Sequence, residues 1–189
     1  MMRPALVLVA LLLASTPASA VTVLLHNTSG RECYLQTMAA STPENNKKAL
    51  AVCNQAVDDS QADSDTYNRA AALVNRADVR LRMEDYSGVI SDSMKAIAVY
   101  DSLAPAYLNL GAGMIGLKRY EEALSLLDKA INLNGSEPEV AYFDRALAKE
   151  NLGDVRGAYY DYRKAVELNP KFQPAADELT RFKVTSTPS

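Results

Sequence analysis

Tryptophan is absent from this chain, and histidine occurs once, as His26. A single imidazole excludes sites that need two, the common zinc hydrolase arrangements among them. Glycine and proline occur eight times each in 189 residues, and no Gly-rich phosphate-cradling loop is among them. An excess of positive charge is lacking as well. Twenty basic against 23 acidic side chains give a net charge of -3, too little field to hold a phosphate backbone, so nucleic acid is not an expected partner. What is present is a hydrophobic fraction of 48%, too high for a disordered chain, in a length that suits one domain with its own core.

Catalysis needs a nucleophile beside a base, or paired carboxylates with separated roles. No serine or cysteine motif accompanies His26, so the chain reads as non-enzymatic. The string Gly111-x-Gly113-x-x-Gly116 imitates a dinucleotide fingerprint but lies inside an expected helix rather than between a strand and a helix. It reads as close helix packing. Asp58-Asp59 and Asp63-x-Asp65 lack the ligand density and the glycine of a calcium loop. No cofactor and no metal are expected.

The first twenty residues have the form of a secretory signal. Arg3 supplies the positive start, Ala5 to Ala14 an unbroken apolar run, and Ala18-Ser19-Ala20 a small-residue cleavage site. The run is short for a bilayer span, which disfavours a retained anchor, and no later segment is long and apolar enough to be one. Cleavage after residue 20 leaves 19 basic and 23 acidic residues, a mature charge of -4. The expected location is exported: periplasmic in a Gram-negative source, secreted otherwise.

Export bears on Cys33 and Cys53, since disulfides persist in oxidising compartments. Thr42 can cap a helix whose first turn holds Pro43 and Glu44. Helices over 31–40 and 43–58 would then form a hairpin with one cysteine on each arm. A bridge closing that loop would stabilise by about 3 kcal/mol on the chain-entropy model. A redox-active pair is the alternative, without the C-x-x-C spacing that tunes a thiolate.

Small residues recur at a fixed interval. Ala96, Ala130 and Ala165 are 34 and 35 residues apart; each follows Val89, Ala123 and Ala158 by seven residues, and Ala77, Gly111 and Ala146 by nineteen. Tyr107 and Tyr142 precede Gly111 and Ala146 by four, and Tyr86 and Tyr120 precede Val89 and Ala123 by three. Met83, Leu117 and Leu152 close the first half of each unit, and Val99, Leu133 and Leu168 the second. Asp101, Gly135 and Pro170 stand just beyond, where a helix should stop.

This pattern resembles the tetratricopeptide repeat, a 34-residue antiparallel helix pair that stacks into a solenoid. The resemblance covers residues 70–103, 104–137 and 139–172, and the middle unit fits best through Tyr107, Leu110, Gly111, Tyr120, Ala123, Leu127 and Ala130. It implies an all-α, right-handed α-solenoid that acts as a protein-interaction module. The units depart from the family pattern at Arg80, Met114 and Lys149, where an aromatic is usual, and at Ser93, Tyr162 and Val155. Residues 21–65 form a hairpin resembling a degenerate further unit, with Ala49, Cys53 and Ala56 on the second-helix spacing. The solenoid occupies 66–172 and a capping helix 173–184, with Ala175, Leu179 and Phe182 at helical spacing; a polar tail, 185–189, follows. Both ends capped predict a monomer.

Two positions vary together between the units. Arg76 and Arg145 are each followed sixteen residues later by an aspartate, Asp92 and Asp161; in the middle unit both positions are apolar, Leu110 and Leu126. The pairing predicts that the two positions touch across each hairpin, as ion pairs Arg76–Asp92 and Arg145–Asp161.

In the resembling family the first helices line a concave groove. On that alignment the groove presents Val74, Asn75, Asp78, Leu81 and Arg82, then Leu108, Asn109, Ala112 and Ile115, then Phe143, Asp144, Leu147 and Glu150. The apolar members would bury a partner's side chains, and Asn75 and Asn109 can bond an extended backbone. Some relatives clamp a C-terminal carboxylate with lysine, arginine and asparagine. Val74, Val140 and Asp144 stand where the basic residues would, so that clamp is not expected; the resemblance implies a peptide or protein partner, and the acidic residues tilt the groove toward a neutral or basic one. The competing function is a structural part of an envelope or secretion assembly, working through the convex face and the caps.

Overall fold

The computed structural model describes residues 28–62 and 64–182. The expected signal at 1–20, His26, Asp63, the last residues of the expected capping helix and the tail 185–189 lie outside the described residues. Those described fold into helices without strands: α1 (Thr28–Thr37), α2 (Pro43–Ser60), α3 (Thr66–Arg82), α4 (Tyr86–Val99), α5 (Ala104–Gly116), α6 (Tyr120–Asn132), α7 (Pro138–Asn151), α8 (Val155–Leu168) and α9 (Gln173–Leu179). None is long and apolar enough to cross a membrane.

The helices pair as α1–α2, α3–α4, α5–α6 and α7–α8, and each pair packs on the next. The first helices also touch in succession, α3 on α5 and α5 on α7. This is an all-α solenoid. Its spine is the small-residue series, for Ala77, Val89, Ala96, Ala123, Ala146, Ala158 and Ala165 are wholly buried. Such side chains let helix axes approach closely, and larger neighbours fill what remains. Gly111 shows the fit, because a Cβ there would stand 2.8 Å from Cγ of Leu127. The equivalent positions are Ala77 and Ser93 in the first unit and Ala146 and Tyr162 in the third. Gly113 and Gly116 make room for Val89 and Tyr86 of α4, which gives the glycine string a packing role between units.

The turns inside the units share one construction. Met83, Leu117 and Leu152 are the C-caps of α3, α5 and α7. The next residue is left-handed in each, with φ of 58° at Glu84, 60° at Lys118 and 86° at Gly153. The amides of Asp85, Arg119 and Asp154 then reach back to the carbonyls of Arg80, Met114 and Lys149 at 2.9, 2.8 and 2.9 Å, the closure that ends a helix in a left-handed residue. Asp85 and Asp154 cap the following helices by accepting from the amides of Gly88 and Gly157 at 3.0 and 2.9 Å. The middle unit has Arg119 there, paired instead with Glu122 at 2.6 Å.

Two helix boundaries differ from the sequence expectation. The first helix covers Thr28–Thr37 rather than 31–40. Asn45 Nδ2 takes the Ala40 carbonyl at 2.9 Å and the Thr37 hydroxyl turns back onto the Tyr34 carbonyl, which ends the helix early. The last helix stops at Leu179 rather than 184. There the Thr180 hydroxyl bonds the Asp177 carbonyl, and the Arg181 and Phe182 amides close tighter three-residue turns. The α2 start is capped by Thr42, whose hydroxyl accepts from the Asn45 amide at 3.1 Å.

Candidate functional site

The first helices set the concave face. On α3, Val74, Asn75, Asp78 and Leu81 are buried and Arg82 is partly exposed. On α5, Leu108, Asn109 and Ala112 are buried and Ile115 is partly exposed. On α7, Phe143 and Asp144 are buried, with Leu147 and Glu150 partly exposed. Most of the candidate positions are therefore a floor, and Ile115 and Leu147 are the apolar side chains that rise from it.

The polar members of the floor have distinct surroundings. Asn109 donates Nδ2 to the Val74 carbonyl at 3.2 Å, tying α5 to α3. Arg82 holds Asp78 at 2.6 Å and also donates to the carbonyls of Thr37 and Ala39, so its fork fastens the end of α1 to α3. Asp78 is wholly buried, and its second oxygen, Oδ1, has no donor. Burial raises its carboxyl to about 7, against the lowering pull of Arg82, and the charge of Glu137 pushes the same way as burial. Glu137, at the start of α7, is itself raised by burial and by Glu139. Asp144 is 2% exposed, its Oδ2 has no donor, and burial alone lifts it to about 7. The floor is acidic, and Glu137 belongs to it although the repeat pattern gives no sign of it.

The covarying positions meet inside their units. Arg76 places Nη2 2.6 Å from Asp92 Oδ1, and Arg145 places Nη2 2.7 Å from Asp161 Oδ1. Each arginine reaches the preceding pair as well: Arg76 donates to Asn54 Oδ1 at 3.1 Å and Arg145 to Asp128 Oδ1 at 2.6 Å. Arg80 and Lys149, the departures from the usual aromatic, complete the two clusters at 3.0 and 2.7 Å from the same aspartates. At the middle unit the corresponding residues are Leu110, Leu126 and Met114, with Met94 on the preceding unit. Polar and apolar layers thus alternate along the solenoid. The partners Asn54 and Asp128 escape a comparison confined to one unit, because they sit on its predecessor.

Cys33 and Cys53 are joined, both wholly buried, with Cα atoms 4.7 Å apart. At the other end Glu150 accepts from the Tyr162 hydroxyl at 3.0 Å and pairs with Arg181 at 2.6 Å, which holds the segment after α9 against α7. A shallow depression of about 1020 Å³ lies on the outer face of α1–α2, beside Glu32 and Asp59. Both of its acids are already engaged, by Gln36 at 2.8 Å and Gln55 at 2.7 Å.

Stacked antiparallel helix pairs with aligned first helices define the class of helical-repeat scaffold. Residues 140–172 match the family described as "Tetratricopeptide repeat", so the chain carries a tetratricopeptide repeat there, within a solenoid of like helix pairs. Among curated proteins it is similar to peptidyl-prolyl cis-trans isomerase FKBP42 of Arabidopsis thaliana, 36% identical over 75 residues. That match takes in 40% of this chain and spans only 20% of the relative's length. Among solved structures it is similar to a thermophilic tetratricopeptide protein of Thermus thermophilus, at 20% identity and TM-score 0.63, over 73% of this chain and 74% of that one. The first such domain of Spaghetti (RPAP3), solved with the HSP90 peptide SRMEEVD, has 23% identity and TM-score 0.57 over 61% of this chain and 90% of that one.

Proposed function

We propose that this chain is an exported, non-catalytic interaction scaffold that receives an extended peptide or protein segment on its concave face. The observation that carries the reading is the succession α3, α5, α7, which sets Ile115 and Leu147 above a floor containing Asn109. Half-buried apolar side chains over a polar floor suit an extended ligand whose side chains are buried while its backbone is bonded. The Spaghetti domain gives a precedent for a peptide ligand. Its ligand is acidic at the carboxyl end, whereas this chain has Val74, Val140 and Asp144 where basic side chains would meet such an end.

A second reading uses the opposite face in a structural assembly. Its support is Met94, Val155 and Tyr160 on the second helices, 58%, 55% and 51% exposed. One experiment separates the two. The purified protein is immobilised, exposed to the exported proteome of its source, and the captured species are identified by mass spectrometry. Species lost with Ile115→Asp/Leu147→Asp but kept with Met94→Asp/Val155→Asp support groove binding. The reverse pattern supports the structural reading. Capture of nothing, with self-association in sedimentation, also tells against the groove.

A further inference from the structure

Asp78 and Asp144 are the buried groups of the concave floor that helix packing leaves unsatisfied. Asp78 keeps one oxygen on Arg82 and the other without a donor. Asp144 has a buried oxygen without a donor, and no salt bridge among the described residues includes it. Asn109, its equivalent one unit earlier, directs its amide across the floor to the Val74 carbonyl at 3.2 Å on the preceding first helix. An asparagine brings a donor to that seam, but an ionised aspartate brings acceptors alone.

A buried carboxylate without a partner is unfavourable, and the isolated chain escapes this by keeping the proton. The carboxyl lifted to about 7 fits that balance. A guanidinium or ammonium group would remove the cost differently, since it brings both the donors and the opposite charge. Nothing within the site competes for that place. Arg82 is spent on Asp78, Thr37 and Ala39, and Glu137 adds negative charge beside Asp78.

We propose that the concave face selects a cationic partner, an extended segment of a basic protein that brings an arginine or lysine to Asp144. The proposal rests on the groove reading above and adds the charge of the ligand. It reverses the chemistry of the carboxylate clamp: where a clamp offers cations to a carboxylate, this floor offers a carboxylate to a cation.

The test is selection of a random decapeptide display library on the folded protein, followed by anisotropy titration of the best synthetic peptide. Enrichment of arginine and lysine is expected. Replacing the arginine of the best peptide by neutral citrulline should weaken binding at least tenfold. Asp144→Asn should weaken the arginine peptide tenfold or more and leave the citrulline peptide unchanged, while the exposed Glu121→Gln leaves both unchanged. Asp144→Asn keeps size and shape, and circular dichroism checks its fold. Equal binding of the arginine and citrulline peptides, or equal loss with Glu121→Gln, overturns the charge selection and leaves the groove reading standing. Enriched peptides whose binding ignores Ile115→Asp/Leu147→Asp, or no enrichment at all, overturn both.

Discussion

Asp144 and Asp78 are buried carboxyls that hold their protons more tightly than free ones. Burial lifts both to about 7, above the value near 4 of an unfolded aspartate. The folded chain therefore holds protons that the unfolded chain has released. Their contribution is fully present below about pH 4 and is lost as pH rises toward 7. Asp144→Asn removes the titrating group at nearly constant shape, so thermal unfolding should show the variant gaining more over the native chain at pH 8 than at pH 4. An equal difference at both would refute the assignment. Arg76 obeys the opposite logic, because it is the paired partner of a wholly buried Asp92 at 2.6 Å. Arg76→Leu alone should cost about 3 kcal/mol in urea unfolding, since it strands part of a buried charge cluster. The triple change Arg76→Leu/Arg80→Met/Asp92→Leu copies the middle unit and should recover most of the loss.

At the scale of the element, the turns between the helices of a unit carry a correctable strain. Glu84 and Lys118 hold φ of 58° and 60° where the third unit has Gly153 at 86°. Side chains resist that conformation and glycine does not. Glu84→Gly and Lys118→Gly should each stabilise by about 0.5–1 kcal/mol, and Gly153→Ala should lose a similar amount. Denaturant midpoints read all three. The α1 helix is a different case, because its buried residues are Gly30, Cys33 and Thr37, with little apolar side chain among them. Its attachment rests on the disulfide and on the carbonyls that Arg82 holds. Cys53→Ser should lower stability by about 3 kcal/mol. Hydrogen exchange should show α1 amides losing protection first, with α5 to α8 unchanged.

Over the whole molecule, stability is distributed between neighbours, as in any stack where each unit meets only the next. The alternation of polar and apolar layers adds an order to that stack. Arg76 joins the first unit to Asn54 and Arg145 joins the third to Asp128, while the middle unit has the apolar Leu110 at the arginine's position and Met94 at its partner's. Exchanging the middle and third units would set Arg145 against Met94 and leave Asp128 without its arginine, so each unit is matched to its place. The two ends are closed by unlike devices, a disulfide at α1–α2 and the Glu150–Arg181 pair beside α9.

The fold was legible because its signal repeats. Ala77, Gly111 and Ala146 keep one beat, and close helix packing tolerates few other residues there, so sequence alone determined the helix pairs, their order and their turns. The contact between Arg76 and Asp92 was legible for the same reason, since one unit could be compared with another. Tertiary structure decided what has no periodic trace. The early end of α1 depends on Asn45 reaching Ala40, and the arginine bridges depend on side chains of the preceding unit. The character of the groove was decided there too. An aspartate at position 144 reads as one more polar residue on a helix until packing removes it from water, and only then does its missing donor define the chemistry of a ligand.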